Sequence, residues 1–454
     1  MKKFLCILIV LLIVFFSPIY SNRLYVYADL NTTIQISKST DISNELSDNI
    51  DDQINSLDMG ELDEILNQIS SDSEIFGGTS FPQKIKDIIS GKLTIDATSF
   101  LGYISSLFLD DIVAFLPYIC IVVAIAVLYS MVSASHSGKN KTLNDVIHFV
   151  CFSAVVVVII VWTSKLLYLT TNALTGIKTQ MDLIFPLLLT ILTALGGNVS
   201  VSVYQPAMAM LSGTVVSVFV NVLMPIFTFA IVFTIISNLT KNIKFNKFAD
   251  FFNSSFKWIM GIVLMIFSAF VSIQGLMAGS IDSISLKTAK YTIKSAVPII
   301  GGFLSDGVSL IMVSGVLIKN AIGVGGLLLL FCTMLMPVIK IIVFSFLMKL
   351  ASAILEPIAD NRITSFVSGI AKSLQMLIAL ILGVGFMYFL IIGLVMCSTN
   401  ILWWAKQLNW VFVQNTKLKL WFKRRNYGEY ISVDIVNSRH MYVISYYRFS
   451  CSRW

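Results

Sequence analysis

Charge is the scarcest thing in this sequence. Charged residues are 13% of its 454 positions, against roughly 25% in ordinary soluble domains. Histidine occurs only as His136, His148 and His440. Cys120, Cys151, Cys332 and Cys397 stand singly in apolar runs, with Cys6 near the start and Cys451 near the end. Without a C-x-x-C pair, neither a zinc site nor a redox couple is indicated. There is no G-x-S-x-G elbow, no H-E-x-x-H helix and no G-x-x-x-x-G-K-[ST] phosphate loop, which argues against the hydrolase, metalloprotease and nucleotide chemistries those motifs serve. The reading is of a non-enzyme with no cofactor and no metal. If it moves anything, another subunit or an ion gradient must drive it.

What the chain has instead is apolar length. Hydrophobic residues are 56%, and between residues 112 and 397 they gather into continuous blocks. Backbone polar groups cannot go unpaired in lipid, so such a chain spans as helices or as a closed barrel. Continuous runs, rather than alternation at period two, choose helices. The expected class is all-α, a polytopic integral membrane protein with about seven to nine spans, some broken at proline or re-entrant. Gly323-Val324-Gly325-Gly326 opens one of these helices instead of following a strand, so close helix packing explains it better than phosphate binding.

In front of the blocks, Lys2 and Lys3 precede apolar residues 4–16, Pro18 and Val26-Tyr27-Ala28. That order reads as a cleavable secretory signal over residues 1–28. Residues 29–110 form an acidic region, with sixteen acids against four bases from Asp29 to Asp111. It is poorly retained by the basic bias of cytoplasmic loops and is expected outside the cytoplasm. Residues 29–49 have too few large apolar side chains to fold alone. Beyond them Leu57, Leu62, Ile65, Leu66 and Ile69 recur at helical spacing, and a second short helix has Pro82 near its start and Gly91 past its end. These helices either rest on the membrane domain or form a docking surface.

The membrane domain, residues 111–400, divides into blocks at 112–132, 146–163, 183–195, 207–239 (two spans broken at Pro225), 258–278, 302–318, 322–348 and 374–395. Lys139 and Lys141, then Lys241, Lys244, Lys247 and Lys257, mark cytoplasmic loops. Nine crossings from outside would leave the C-terminus inside, in keeping with a tail, 401–454, that carries nine bases and two acids. Lys287, Lys290 and Lys294 share one helical face and read as an interfacial basic helix on anionic headgroups or as a solvated face. The net charge of +7 belongs to loops and tail, and points to lipid and not to nucleic acid.

A charge at a helix centre costs ~2.5–3.5 kcal/mol in the membrane. Lys340 lies inside block 322–348, close after Pro337, while Asp306 and Lys319 bracket 302–318. Lys349, Glu356, Asp360 and Arg362 gather at the next edge, where Pro357 should end the helix at Glu356. These residues are candidates for a hydrated path or a subunit contact. The plainer readings are snorkelling lysines and a solvated turn.

The order of features resembles the stage III sporulation protein AE family. Tyr204-Gln205-Pro206-Ala207, Leu211-Ser212-Gly213-Thr214, Lys257-Trp258, Gln274-Gly275-Leu276 and Leu286-Lys287-Thr288-Ala289-Lys290 carry it in sequence. Val297-Pro298-Ile299-Ile300-Gly301-Gly302-Phe303-Leu304-Ser305-Asp306, Leu317-Ile318-Lys319-Asn320-Ala321 and Glu356-Pro357-Ile358-Ala359-Asp360-Asn361-Arg362 complete it, over roughly residues 76–400. The resemblance implies a mother-cell membrane subunit of a channel or secretion-like complex needed for late forespore transcription. Its implied partners are the other channel subunits, including a secretion-type ATPase and ring-forming proteins. It supplies no catalytic residue. The chain departs from the family pattern after Asn400, where the basic, aromatic tail reads as a membrane-binding, dispensable or aberrant extension.

Overall fold

The computed structural model describes residues 39–72, 80–92, 97–135, 141–239, 245–296 and 301–398, together with three strands in the tail. The signal sequence read at 1–28 lies outside the described residues. Three short helices come first: α1 (Ser39–Asn55), α2 (Gly60–Asp72) and α3 (Phe81–Ile89). Six long ones follow: α4 (Ala97–Ser135), α5 (Lys141–Ala194), α6 (Asn198–Leu239), α7 (Asn246–Ala296), α8 (Gly301–Leu355) and α9 (Asn361–Ser398). All six are long and apolar enough to cross a membrane. The membrane domain is therefore all-α and polytopic.

The nine expected crossings become six helices because several apolar blocks run together. Blocks 146–163 and 183–195 are one helix, α5. The threonines between them fold their hydroxyls back onto the helix: Thr170 onto Leu166 at 2.8 Å and Thr179 onto Thr175 at 3.1 Å. Such side chains satisfy themselves locally and need no break in the helix. Pro225 does not split α6 either. Two π-helical stretches, Met210–Val215 and Phe219–Leu223, precede it, and the second ends just before the proline. A widened turn there accommodates the missing N–H and the bulky ring that would otherwise kink the helix. Blocks 302–318 and 322–348 merge into α8 through Lys319, whose charge is satisfied inside the bundle.

The acidic region is ordered earlier than its composition suggested. α1 begins at Ser39, within the stretch expected not to fold alone, because Leu46, Ile50 and Ile54 pack on the membrane domain and Gln53 Nε2 donates to Ser314 Oγ of α8 at 2.9 Å. Leu62 and Leu66 of α2 and Phe81 and Ile85 of α3 are buried in the same core. The α3 boundaries follow the expected punctuation, with Pro82 in the first turn. Gly91 follows the last turn in the left-handed region at φ 69°, and the Lys92 N–H donates to the Asp87 carbonyl at 2.9 Å. The α5–α6 turn repeats this arrangement with Gly196 at φ 81° and Gly197 N–H on Leu192 O at 2.9 Å.

The six long helices alternate in direction. At one end, Ser130 near the foot of α4 donates to the Ile358 carbonyl in the α8–α9 turn, and Gly369 of α9 abuts Thr234 of α6. At the other end, Leu195 packs on Gly315 and Met396 packs on Gly323. α1–α3 sit at this second end, called the upper end below. α9 forms the axis of the bundle: Phe366, Ile370, Leu374, Leu377, Ile381, Val384, Tyr388 and Ile391 are all buried. A helix with so wide an apolar surface needs neighbours over most of it, and α5, α6, α7 and α8 supply them, leaving one stripe with Ser365, Ser368 and Lys372 exposed.

Gly323, Gly325 and Gly326 seat three different helices on α8. A Cβ at Gly323 would come within 2.6 Å of Met396 of α9, at Gly325 within 3.3 Å of the Phe81 ring of α3, and at Gly326 within 3.0 Å of Ile184 of α5. Close packing is what these glycines serve, as expected. The tail forms an antiparallel sheet of β1 (Leu420–Lys423), β2 (Tyr430–Ser438) and β3 (Met441–Phe449) in the order β1-β2-β3, with Tyr430 opposite Phe449 and Ser438 opposite Met441. Its strands are rich in the β-branched and aromatic residues that favour sheets.

Gly325→Leu should push α3 off α8 and cost about 1–3 kcal/mol, whereas Gly213→Ala, which meets nothing within 4 Å, should leave the melting midpoint of the purified protein nearly unchanged.

Candidate functional site

An aromatic cluster ties α4, α5 and α8 together. The Phe115 ring lies 5.0 Å from Trp162 and 5.2 Å from Phe344, and Tyr118 lies 4.6 Å from Trp162. Just above it the charges begin. Lys165 Nζ sits 4.2 Å over the Trp162 ring. Asp111 stands one helical turn above Phe115, Lys340 one turn above Phe344, and the two are within electrostatic reach of each other. Lys340 is half-buried. The structure thus puts Lys340 at a belt of aromatic and charged residues, the composition typical of a membrane–water boundary.

Above the belt lies a cleft of about 430 Å³ between α2, α4, α5 and α8. Ile65, Tyr103, Asn172, Gln180, Thr333 and Met336 are among its lining residues. The Gln180 amide donates to Thr333 Oγ1, and Thr333 donates in turn to the Leu329 carbonyl at 3.0 Å. Lys84 of α3 is buried in the packing between α3 and α8, beside Phe81 and Gly325. Burial pushes its ammonium below the ordinary lysine range, with Asp87 opposing that shift.

The remaining candidates separate. Lys319 is fully buried, and its amine donates to the carbonyls of Val395 at 2.9 Å and Met396 at 3.0 Å. These carbonyls belong to the last turn of α9, where helix acceptors lack internal partners and a cation is favoured by the dipole. Lys319 is an internal clamp. Lys349 and Glu356 are exposed. α8 ends at Leu355, as Pro357 required, and Asp360 starts α9 by accepting the Arg362 N–H at 2.9 Å. The Arg362 guanidinium reaches Asp360 Oδ2 at 3.0 Å, and Tyr129 of α4 donates to the same oxygen at 3.2 Å. Burial works to raise the Asp360 pKa, but the Arg362 bonds and charge outweigh it and hold the carboxyl below its usual range. Asp306 is placed on α8 and Lys287, Lys290 and Lys294 on the last turns of α7, so the basic helix is a continuation of a long one; these four side chains lie outside the described residues.

Asp111, Asn172, Gln180 and Lys84 were not singled out from the sequence. Asn172 and Gln180 lie eight apart in an otherwise apolar and threonine-rich stretch, a spacing that puts both on one helix face. That was the available signal.

Six long apolar helices with an acidic cap on one end define a polytopic membrane protein. A family model described as "Stage III sporulation protein AE" matches residues 79–399, and the chain belongs to that family. A protein of that name from Bacillus subtilis (strain 168) is 28% identical over 267 residues, covering 58% of this chain and 67% of the relative. No solved structure matches. The matched span stops at the end of α9, before the tail.

Lys319→Met should remove the donor that two buried carbonyls share, leaving the Val395 carbonyl with the Ser398 hydroxyl at 2.7 Å, and cost about 1–3 kcal/mol in stability. Asp360→Asn should lower the melting temperature at neutral pH. A depressed carboxyl pKa stabilises the fold above the unfolded value, so the wild-type advantage should vanish as pH falls below about 4.

Proposed function

We propose that this protein is a membrane subunit of the channel or secretion-like complex joining mother cell and forespore, and that it works as a structural wall without chemistry of its own. The filled axis of the bundle carries this reading. α9 occupies the centre and is buried on all but one stripe, Ser365, Ser368, Lys372 and Gln375 in its lower half, so a single chain offers walls and the conduit lies between chains. Candidate charges satisfied within the chain, at Lys319 and in the Asp360–Arg362 pair, fit a scaffold better than a wet interior. Partner subunits, among them a secretion-type ATPase and ring-forming proteins, would supply energy and gating.

The bilayer is placed here from the exposed surface of α5, while exposed apolar side chains continue higher on α4 (Leu101, Leu109) and α8 (Ile311, Val313, Phe331). On α5 the exposed large apolar side chains run from Val146 to Tyr168 and stop there. Val146 to Trp162 rises about 25 Å, close to the ~30 Å of a hydrocarbon core. The lower end of the bundle carries Lys141, Lys247 and Arg362 beside its three connections and faces the cytoplasm of the mother cell by the positive-inside bias. The acidic helices then project into the space between the membranes. Six alternating helices return the chain to the side from which α4 entered, so the tail begins outside, opposite to the side that nine crossings would give.

Reporter fusions after Ala194, Ala296 and Ser398 should all read extracytoplasmic, and one after Ile358 cytoplasmic; a cytoplasmic reading at Ser398 would overturn this topology. Cells lacking the protein should complete engulfment yet fail to sustain a late forespore promoter reporter, and a chain truncated after Asn400 should restore it. Normal late reporter activity in the deletion would overturn the proposed role.

A further inference from the structure

α9 leaves one polar stripe open in its lower half, where Ser365, Ser368 and Lys372 are exposed and Gln375 is half-buried. Their spacing of three, four and three residues is that of a seam between two packed helices. Serines at such a seam let the two backbones come close. α8 borders the stripe on one flank, where Ser345 Oγ donates to the Ala371 carbonyl at 2.9 Å and Ser352 Oγ to the Thr364 carbonyl at 3.1 Å. α6 and α7 border it on the other, with Thr234 beside Gly369 and Met260 beside Gly383. Among the described residues no helix of this chain covers the stripe between them.

Lys372 makes no ion pair among the described residues. It stands about 16 Å above Asn361 at the cytoplasmic end and, level with Ser345, about 8 Å below Lys340 at the upper boundary. The Cα–Cβ bond of a helical residue tilts towards the helix N-terminus, so this stem leaves α9 downwards, away from the nearer boundary. An ammonium at that depth is costly against lipid, and lipid phosphates stay at the surfaces. Residues 112–135, 146–162, 224–239, 251–270, 341–355 and 361–398 hold no Asp or Glu. A second copy of this chain therefore has no carboxylate to offer at that depth.

We propose that the stripe receives a transmembrane helix of a different subunit, one that carries an Asp or Glu within its apolar span, and that this carboxylate pairs with Lys372. Ser365, Ser368 and Gln375 hydrogen-bond along the same seam. The proposal rests on the bilayer placement and the subunit role above. Those fail by the fusions and the deletion, whereas the measurements here can fail while both hold.

In sporulating cells with the late forespore reporter, Lys372→Leu should lower the signal about tenfold or more. The membrane-bound amount of the full chain should not fall, because the change removes a charge from an exposed position. Lys372→Arg, which keeps the charge, should recover most of the loss. Photoreactive benzoylphenylalanine placed at Ser368 should, on illumination of the same cells, join the chain to a different protein. The peptide recovered from that adduct by mass spectrometry should be an apolar span containing Asp or Glu. This crosslink leaves Lys372 in place, so it decides the matter should Lys372→Leu not accumulate. Full reporter activity with Lys372→Leu, no recovery with Lys372→Arg, an adduct between two copies of this chain, a crosslinked span without an acid, or no adduct would each overturn the proposal.

Discussion

The structure is governed by a mismatch of length. α5 has 54 residues and α8 has 55, so each rises about 80 Å against a hydrocarbon core of ~30 Å. More than half of each helix must stand where lipid cannot cover it, yet the helices stay apolar nearly throughout. Protein has to do what the bilayer does lower down. α9 fills the axis, and the acidic region supplies α1–α3 as a sheath on the upper half of α8. Each short helix is amphipathic because it has two solvents to satisfy, with Leu62, Leu66, Phe81 and Ile85 turned to the bundle and the acids left outside.

The boundary between the two kinds of cover is visible in composition. Trp162, Lys165, Asp111 and Lys340 lie at one level on three helices, where the lipid-facing surface of α5 ends and the sheath begins. A lysine in the middle of an apolar block is costly at the centre of a membrane but ordinary at such a boundary, where its stem packs and its ammonium reaches water. The cost that made Lys340 suspicious in the sequence is removed by where the bilayer falls along α8, and not by an ion partner in the hydrocarbon. Lys319 lies further up, inside protein, and there two helix-terminal carbonyls replace water.

This also explains which features could be read from sequence. Class, helix type and the edges of α3 were legible, because Pro82, Gly91 and Pro357 act locally. The number of spans was not. Hydropathy registers removal from water and does not distinguish a lipid tail from the flank of α9, so blocks covered by protein look like additional crossings. Thr170 and Thr179, which bond back within α5, looked like interruptions. The order in α1 was hidden for the converse reason: its few apolar residues suffice only because α8 is there to receive them. Gln180 escaped notice because a neutral amide carries no charge signal of its own.

The filled axis constrains how such a protein could take part in transport. A helix buried over most of its surface cannot turn that surface to water without losing the packing that holds it, so α9 is an element others are built around. On the proposed role, conduction would use surfaces shared between chains, where neither α9 nor its clamp at Lys319 is disturbed. On that view the acidic cap has a geometric role in addition to any charge it presents. It is fixed to α8 by Phe81 on Gly325 and Gln53 on Ser314, and α8 is fixed to α9 along its length. Whatever bears on the cap is thus mechanically joined through α8 to the centre of the membrane domain.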